Sequence, residues 1–409
     1  MKRFIFFVDE IFIKRPLLFS VIFMLFLLLN SFTYFSISTL MHAERGSEVL
    51  NRLSNNDVYI SNMKVKDFHN MAPISEESAQ DFYKYLIENY KFGVKHEGSS
   101  VLGIKNDHNL HNVHVMYYDE NYYNTYQFKI QKGDDLYFDF KPNVDPIPIL
   151  IGEGLSKTYN IGDIIEIPET YGGNDFNEYV VTGILERDSR ISNMYLPITR
   201  QYLNYSIIMP LNDDILTSAA RDITMNGIHD LLIFTDSEED IKAVQEKMKN
   251  RFGAPFNFYT PEENIDEVNQ YLKIGFTIQL VIFAILFILL TVLIYWNASI
   301  ASRLLKKIFA VNFIVGLSYK ELRIILNTFF IVLLSLNTIA LIVALKLVSY
   351  ESYVMKIDSS MVFGYFGILP ESWLIIGGIF ISNLLISFVL TEIMVYKFKK
   401  IPFTLGVFE

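Results

Sequence analysis

The chain has 409 residues, 51% of them hydrophobic, a net charge of −10 and no cysteine. A mean hydropathy of +0.26 is too high for an ordinary soluble enzyme, yet 20% charged residues are too many for an all-membrane bundle. Several spans plus a water-facing domain are expected; disulfides, thiolate metal sites and cysteine nucleophiles are excluded, and the negative charge argues against a nucleic-acid partner.

Residues 1–15, MKRFIFFVDEIFIKR, are apolar with charges at both ends and Asp9-Glu10 in the middle. They read as an interfacial helix on the inner leaflet, broken from the next element at Pro16. Residues 16–41 lack charge over a length that crosses a hydrocarbon core of about 30 Å, as do 274–302, 324–345 and 372–391. All four are expected to be helices, because backbone groups cannot stay unpaired in lipid. The first is read as retained rather than as a cleaved signal peptide: its uncharged run is long, no A-x-A-like site follows, and three more spans come after it.

Basic residues orient the spans. Lys2, Arg3, Lys14 and Arg15 precede span 1; Arg303, Lys306, Lys307, Lys320 and Arg323 lie between spans 2 and 3; Lys397, Lys399 and Lys400 follow span 4. The opposite ends hold fewer: Arg45, Arg52, Lys273, Lys346 and Lys356. Both termini and the short loop are therefore expected in the cytoplasm, with the long insert after span 1 outside.

That insert alternates strand and helix signals. Strands are expected at 57–60, 101–105 and 113–118, then at 231–235 and 256–259, with helices at 75–90 and 237–252. Two β-α-β-like parts flanking a β-rich part at about 120–210 predict an α+β fold. Thr260-Pro261-Glu262-Glu263 starts a helix well, with a cap, Pro in the first turn and acids beside it. A continuous helix over 261–302 would be about 60 Å long, about twice the hydrocarbon thickness, and would stand out as a stalk. The expected order is an interfacial helix (1–15), span 1 (16–41), an extracytoplasmic α+β domain (42–260), a stalk and span 2 (261–302), a cytoplasmic loop (303–323), span 3 (324–348), an outer loop (349–371), span 4 (372–395) and a cytoplasmic tail (396–409). The fold class is thus a mixed membrane protein: four transmembrane helices with a large inserted domain on helical stalks.

Residues 306–321, KKIFAVNFIVGLSYKE, are apolar but far too short to span a membrane. A short helix over 308–315 would end at Gly316 in the left-handed conformation. Ser318 and Glu321 then form a capping box for the helix entering span 3. A tight hairpin on the inner leaflet explains the Gly and the cap, but not the apolar Phe309, Phe313, Ile314 and Leu317 held outside the membrane core. A knob for a partner's groove explains both.

This loop resembles the segment after the second span in MacB-like and FtsX-like permeases of ABC transporters, of general form E-[IF]-[AG]-[IV]-L-R-A-[LI]-G-x-S. Ile308 stands where that family often has Glu, and Phe313 where it often has Arg. In the insert, ILIGEGLSKTYNIGDIIEI (149–167) and EYVVTGILE (178–186) resemble the family's strand–GD–strand and V-x-G-I pattern. Gly162-Asp163 suits a tight turn and Gly183 a bulge. The resemblance implies a dimer of such subunits, homodimeric or heterodimeric, above a cytoplasmic ABC ATPase. It further implies membrane lipids as surroundings and an extracytoplasmic adaptor or hydrolase as a possible partner. No G-x-x-x-x-G-K-[ST] occurs, so no cofactor is expected in this chain, and ATP and Mg belong to the partner ATPase. Lys307, Ile308, Phe309, Ala310, Val311, Phe313, Gly316, Leu317, Ser318 and Lys320 are the residues expected to couple to that ATPase. The chain itself is expected to be no enzyme.

Other candidates are weighed against plainer readings. His108, His111 and His114 lie in an Asn/Asp-rich stretch between two strand signals and are read as solvated loop histidines rather than a metal site. Glu392 is read as paired with Lys397 and Lys399. Asn327, Asn337 and Gln279 are read as interhelical hydrogen-bond partners, and the tyrosines of 120–128 as packing. The leading expectation is a bacterial cell-membrane permease that exports or extracts an amphipathic compound such as an antimicrobial peptide or drug. The alternatives are an FtsX-like mechanotransmitter controlling a cell-wall hydrolase, and a receptor or scaffold without ATPase.

Overall fold

The structure, a computed structural model, describes residues 2–62, 74–103, 110–167, 178–187, 189–195, 201–218, 220–253, 255–304, 306–354 and 370–399. In chain order, α1 (Lys2–Val8) runs into a π-helical turn (Asp9–Ile13), then α2 (Pro16–Leu53), β1 (Val58–Asn62), α3 (Glu76–Asn89), β2 (Lys91–Gly93), β3 (Lys95–Gly103), β4 (Leu110–Asp119) and α4 (Glu120–Tyr126) follow. Next come β5 (Ile130–Gly133), β6 (Ile147–Ile151), β7 (Ile164–Ile165), β8 (Tyr179–Leu185), β9 (Arg190–Ile191), β10 (Gln201–Tyr202) and β11 (Ser206–Leu211). The chain then forms α5 (Asp213–Ser218), α6 (Ala220–Gly227), β12 (Leu232–Phe234), α7 (Glu238–Phe252), β13 (Asn257–Tyr259), α8 (Pro261–Leu304), α9 (Lys306–Ile314), α10 (Tyr319–Val354) and α11 (Pro370–Lys399). It divides into two compact units: Met1–Leu40 with Leu272–Val348 and Gly367–Glu409, and Met41–Tyr271 with Ser349–Phe366.

In the second unit, β1, β2, β12 and β13 make one antiparallel sheet of order β13-β1-β12-β2. The two β-α-β segments expected to lie apart are thus interleaved, because β1 sits between both strands of the later segment. Their helices carry matching stripes. Ser75 caps α3 by accepting from the Ser78 amide at 3.1 Å, and Ala79, Phe82, Tyr83 and Leu86 are buried at helical spacing. Ser237 caps α7, Gly253 ends it in the left-handed conformation, and Ile241, Val244, Met248 and Phe252 face inward.

A larger mixed sheet has the order β3-β4-β11-β6-β8-β5, with β7 on β8. It starts with β3 and β4, upstream of the expected β-rich part, because β4 gains a parallel partner in β11. The sheet is covered on both faces. In β4, Val113, Val115 and Tyr117 join one core, while Met116 and Tyr118 join another with Tyr122, Tyr123 and Tyr126 of α4 and Val49, Leu50 and Leu53 of α2. The tyrosine-rich stretch is therefore packing, with period-two alternation dividing its strand neighbours between two layers.

The first unit holds helices long and apolar enough to cross a membrane. Thr260 and Glu263 exchange bonds in a capping box at the start of α8, which runs unbroken for 44 residues. The segment Lys2–Ile13 packs inward on α10: Phe7, Ile11 and Phe12 are buried, and Phe12 stacks on Phe329 at 3.8 Å. Ile5 and Ile13 stay exposed on its other side. Polar residues bridge helices, among them Tyr34 to Ser372 at 2.8 Å, Asn383 to Asn30 at 3.1 Å, and Ser387 to Asn327 at 3.2 Å. Of the expected partners, Asn327 bridges. Asn337 instead donates to Leu333 within its own helix.

Candidate functional site

The link between α8 and α10 is built from its ends. The amides of Gly316 and Leu317 donate to Phe313 and Asn312 at 3.1 and 2.8 Å, closing α9 with paired bonds around a left-handed residue, Gly316 at φ +94°. Two residues on, Ser318 and Glu321 bond each other's amides at 3.1 and 3.0 Å, a reciprocal cap starting α10. Stop and restart thus share a four-residue turn.

The closure decides which side chains face outward. Leu317, just past the left-handed residue, is 3% exposed and joins the core of the helical unit. Ile308 and Phe313 pack against that core, with the Phe313 ring 4.6 Å from Tyr319. The expectation that Phe313 and Leu317 are offered outward is corrected: the closing bonds turn them in. Val311, Ile314 and Val315 are the outward residues, 55%, 69% and 67% exposed. Their i, i+3, i+4 spacing places them on one face. Gly316, Ser318 and Lys320 are exposed beside them. Lys307, Phe309 and Ala310 belong to α9. Ile314 and Val315 were legible from their position before the Gly, but their partition from Leu317 needed the turn geometry.

Nearby charges are paired differently from expectation. Glu392 binds Arg323 of α10, with one contact at 3.1 Å, rather than Lys397 or Lys399. Lys397 instead donates to the Tyr295 hydroxyl at 3.2 Å, and Lys399 lies over the Tyr319 ring. The two lysines lie beyond Glu392 on the same helix, and aromatic partners on α8 and α10 take them.

In the sheet unit, Gly162 sits at φ +88° and Asp163 accepts from the Asn160 amide at 2.7 Å, completing the expected tight turn. The β6–β8 register shifts at Gly183, where a Cβ would come within 2.4 Å of the Asp134 carbonyl. His108 lies outside the described residues; the loop reading is corrected for the other two, which belong to β4, where His111 pairs with Leu102 and His114 with Ser99. His114 lies 2.7 Å from the Gln201 amide nitrogen and 3.7 Å from Glu97. Among the described residues no cluster suits a metal ion.

Two buried charges mark this unit. Lys95 contacts Asp230 at 2.8 Å and Glu97 at 3.1 Å. Burial alone would lower the lysine pKa, but Asp230 and its other neighbours hold it well above the ordinary value. Asp119 caps α4 and accepts from the Tyr122 and Val94 amides, both at 2.9 Å. Burial pushes its carboxyl up to about 7 despite those bonds.

The sequence profile of the MacB-like periplasmic core domain matches residues 20–251, more than half of the 409 residues. The chain belongs to the MacB-like and FtsX-like family of ABC transporter permeases, and is a membrane-embedded permease with an extracytoplasmic core domain. It is similar to the periplasmic region of MacB from Actinobacillus actinomycetemcomitans at 13% identity, over 53% of this chain and 94% of that one, with a TM-score of 0.34. It is also similar to the extracellular domain of the ABC-type transporter YknZ from Gram-positive bacteria, at 12% identity, over 49% and 99%, with a TM-score of 0.30. A comparison with curated protein sequences finds no match.

Proposed function

We propose that this chain couples ATP hydrolysis by a cytoplasmic partner to motion of its extracytoplasmic domain, and that α9 is the contact. The observation that carries this reading is the apolar face of Val311, Ile314 and Val315, exposed at the end of a short helix. Apolar side chains grouped on one face of a short helix between two spans suit a hydrophobic groove. Basic residues around this loop and at both chain ends support a cytoplasmic position. ATP and Mg are bound by the separate ATPase. Two permease subunits, alike or different, sit above it, and α2 and α8 serve as stalks. The stroke exports or extracts an amphipathic compound such as an antimicrobial peptide or drug.

The test is ATPase turnover of the assembled complex in lipid discs. Val311→Asp and Ile314→Asp should each lower stimulated turnover at least tenfold while the permease inserts and folds normally. Wild-type turnover in both variants would remove α9 as the contact. Deletion of the gene should sensitise cells to membrane-active peptides; chained cells of unchanged sensitivity would point to hydrolase control instead.

A further inference from the structure

Within the sheet unit, a cleft of about 370 Å³ is lined by the ends of α2 and α4 and by strands β2 and β12. Its size falls in the roughly 300–1,000 Å³ range of small-ligand sites. Most of the lining residues carry polar groups, Arg52, Lys91, four asparagines, a glutamine and a threonine, against Leu53 and Phe234, with no carboxylate. In a chain of net charge −10, a concave surface with two cations and no acid is a local reversal of sign.

Two helix C-termini meet here, and their free carbonyls would disfavour an anion. They are already occupied. Arg52 donates to the Tyr126 carbonyl at 3.4 Å, and Asn55 and Asn56 donate to Asn51 and Arg52 carbonyls at 3.1 Å. A helix-end role accounts for Arg52 but not for Lys91, which lies on a strand, 5.0 Å from the centre of the Phe234 ring. Neither cation meets a carboxylate among the described residues, and the Arg52 Nε is buried without a partner there.

The amides set the second requirement. A carboxamide presents a donor and an acceptor side by side, which matches a hydroxyl group in either role. Gln127 sits at the rim in the left-handed conformation, φ 52°. Glycine would adopt that region without Cβ strain. The chain instead keeps an amide whose oxygen accepts from Arg52 at 3.4 Å.

We propose that this cleft binds a saccharide bearing an acidic group, carboxylate or phosphate: Lys91 and the Arg52 guanidinium, whose terminal nitrogens make only 3.4 Å contacts, take the anion, and the asparagines and Gln127 take the hydroxyls. The site goes beyond ATPase coupling and stands whether or not α9 docks a partner.

The experiment is calorimetric titration of the full chain in lipid discs with glucuronate, glucose 6-phosphate, glucose and inorganic phosphate at low salt. At least one acidic sugar should bind saturably, at least tenfold tighter than glucose and than phosphate; which one binds identifies the acid group. Lys91→Gln should weaken that binding at least tenfold with an unchanged thermal midpoint. Arg52→Lys keeps the charge but removes the planar guanidinium fork, and should weaken it also. No saturable binding by either acidic sugar, or equal binding of glucose or phosphate, would overturn the proposal. So would affinity that neither substitution changes.

Discussion

The Leu317 amide donates to the Asn312 carbonyl at 2.8 Å, across the left-handed Gly316. That bond both ends α9 and drives Leu317 into the core, leaving Val311, Ile314 and Val315 outside. A Cβ at Gly316 would meet nothing within 4 Å, so the only penalty for a larger residue is backbone strain. Gly316→Ala should cost roughly 1–2 kcal/mol and lower stimulated ATPase turnover. Gly316→Asn, which tolerates the left-handed region better, should lose less of both. Thermal unfolding and turnover of the two variants side by side check this.

Arg323 and Glu392 link α10 and α11 by an ion pair with both side chains exposed. Such pairs contribute about 0–1 kcal/mol. Arg323→Ala and Glu392→Gln should each move the unfolding midpoint little, and a double-mutant cycle should return a coupling no larger than that. A coupling several times greater would mean that the pair is shielded from water in the assembled membrane protein.

Asp119 has the opposite character, a buried carboxyl with a pKa raised to about 7. Below about pH 4 it is protonated whether folded or unfolded. As pH rises from about 4 to 7, the unfolded carboxyl ionises while the folded one resists, so this group's contribution to stability is lost. Asp119→Asn keeps an acceptor for Tyr122 and Val94 but cannot ionise. It should match the native chain near pH 4 and exceed it near pH 8, by at most on the order of 4 kcal/mol. Hydrogen exchange at the Val94 and Tyr122 amides in the two chains, at both pH values, measures the difference locally.

Lys95 lies buried between Asp230 and Glu97. Lys95→Met leaves Asp230 without its cation and should cost about 3–5 kcal/mol. Adding Asp230→Asn to that variant should recover much of the loss. Chemical denaturation of the three variants tests this, and a double variant no better than the single would show that the pair acts through packing alone.

Features set by local chemistry were legible in the chain: the uncharged runs, the Gly316 stop, the Ser318–Glu321 cap and the turn at Gly162. Features set by remote pairing were not. Nothing adjacent to β1 announces that β12 and β13 will flank it. Lys397 is five residues from Glu392, yet the carboxylate finds Arg323, sixty-nine residues away, because helix packing brings α10 alongside α11. The cleft was invisible for the same reason: Arg52, Lys91 and Gln127 belong to three distant stretches.

Leu50 and Leu53 bracket Arg52 on the last turn of α2, and both are buried in the tyrosine-rich core. Advancing α2 by one residue about its axis, about 100°, would swing both leucines out of their seats. The helix end is therefore keyed like a splined shaft. Any rotation of this last turn would unseat the tyrosine-rich core and shift the Arg52 wall of the cleft with it.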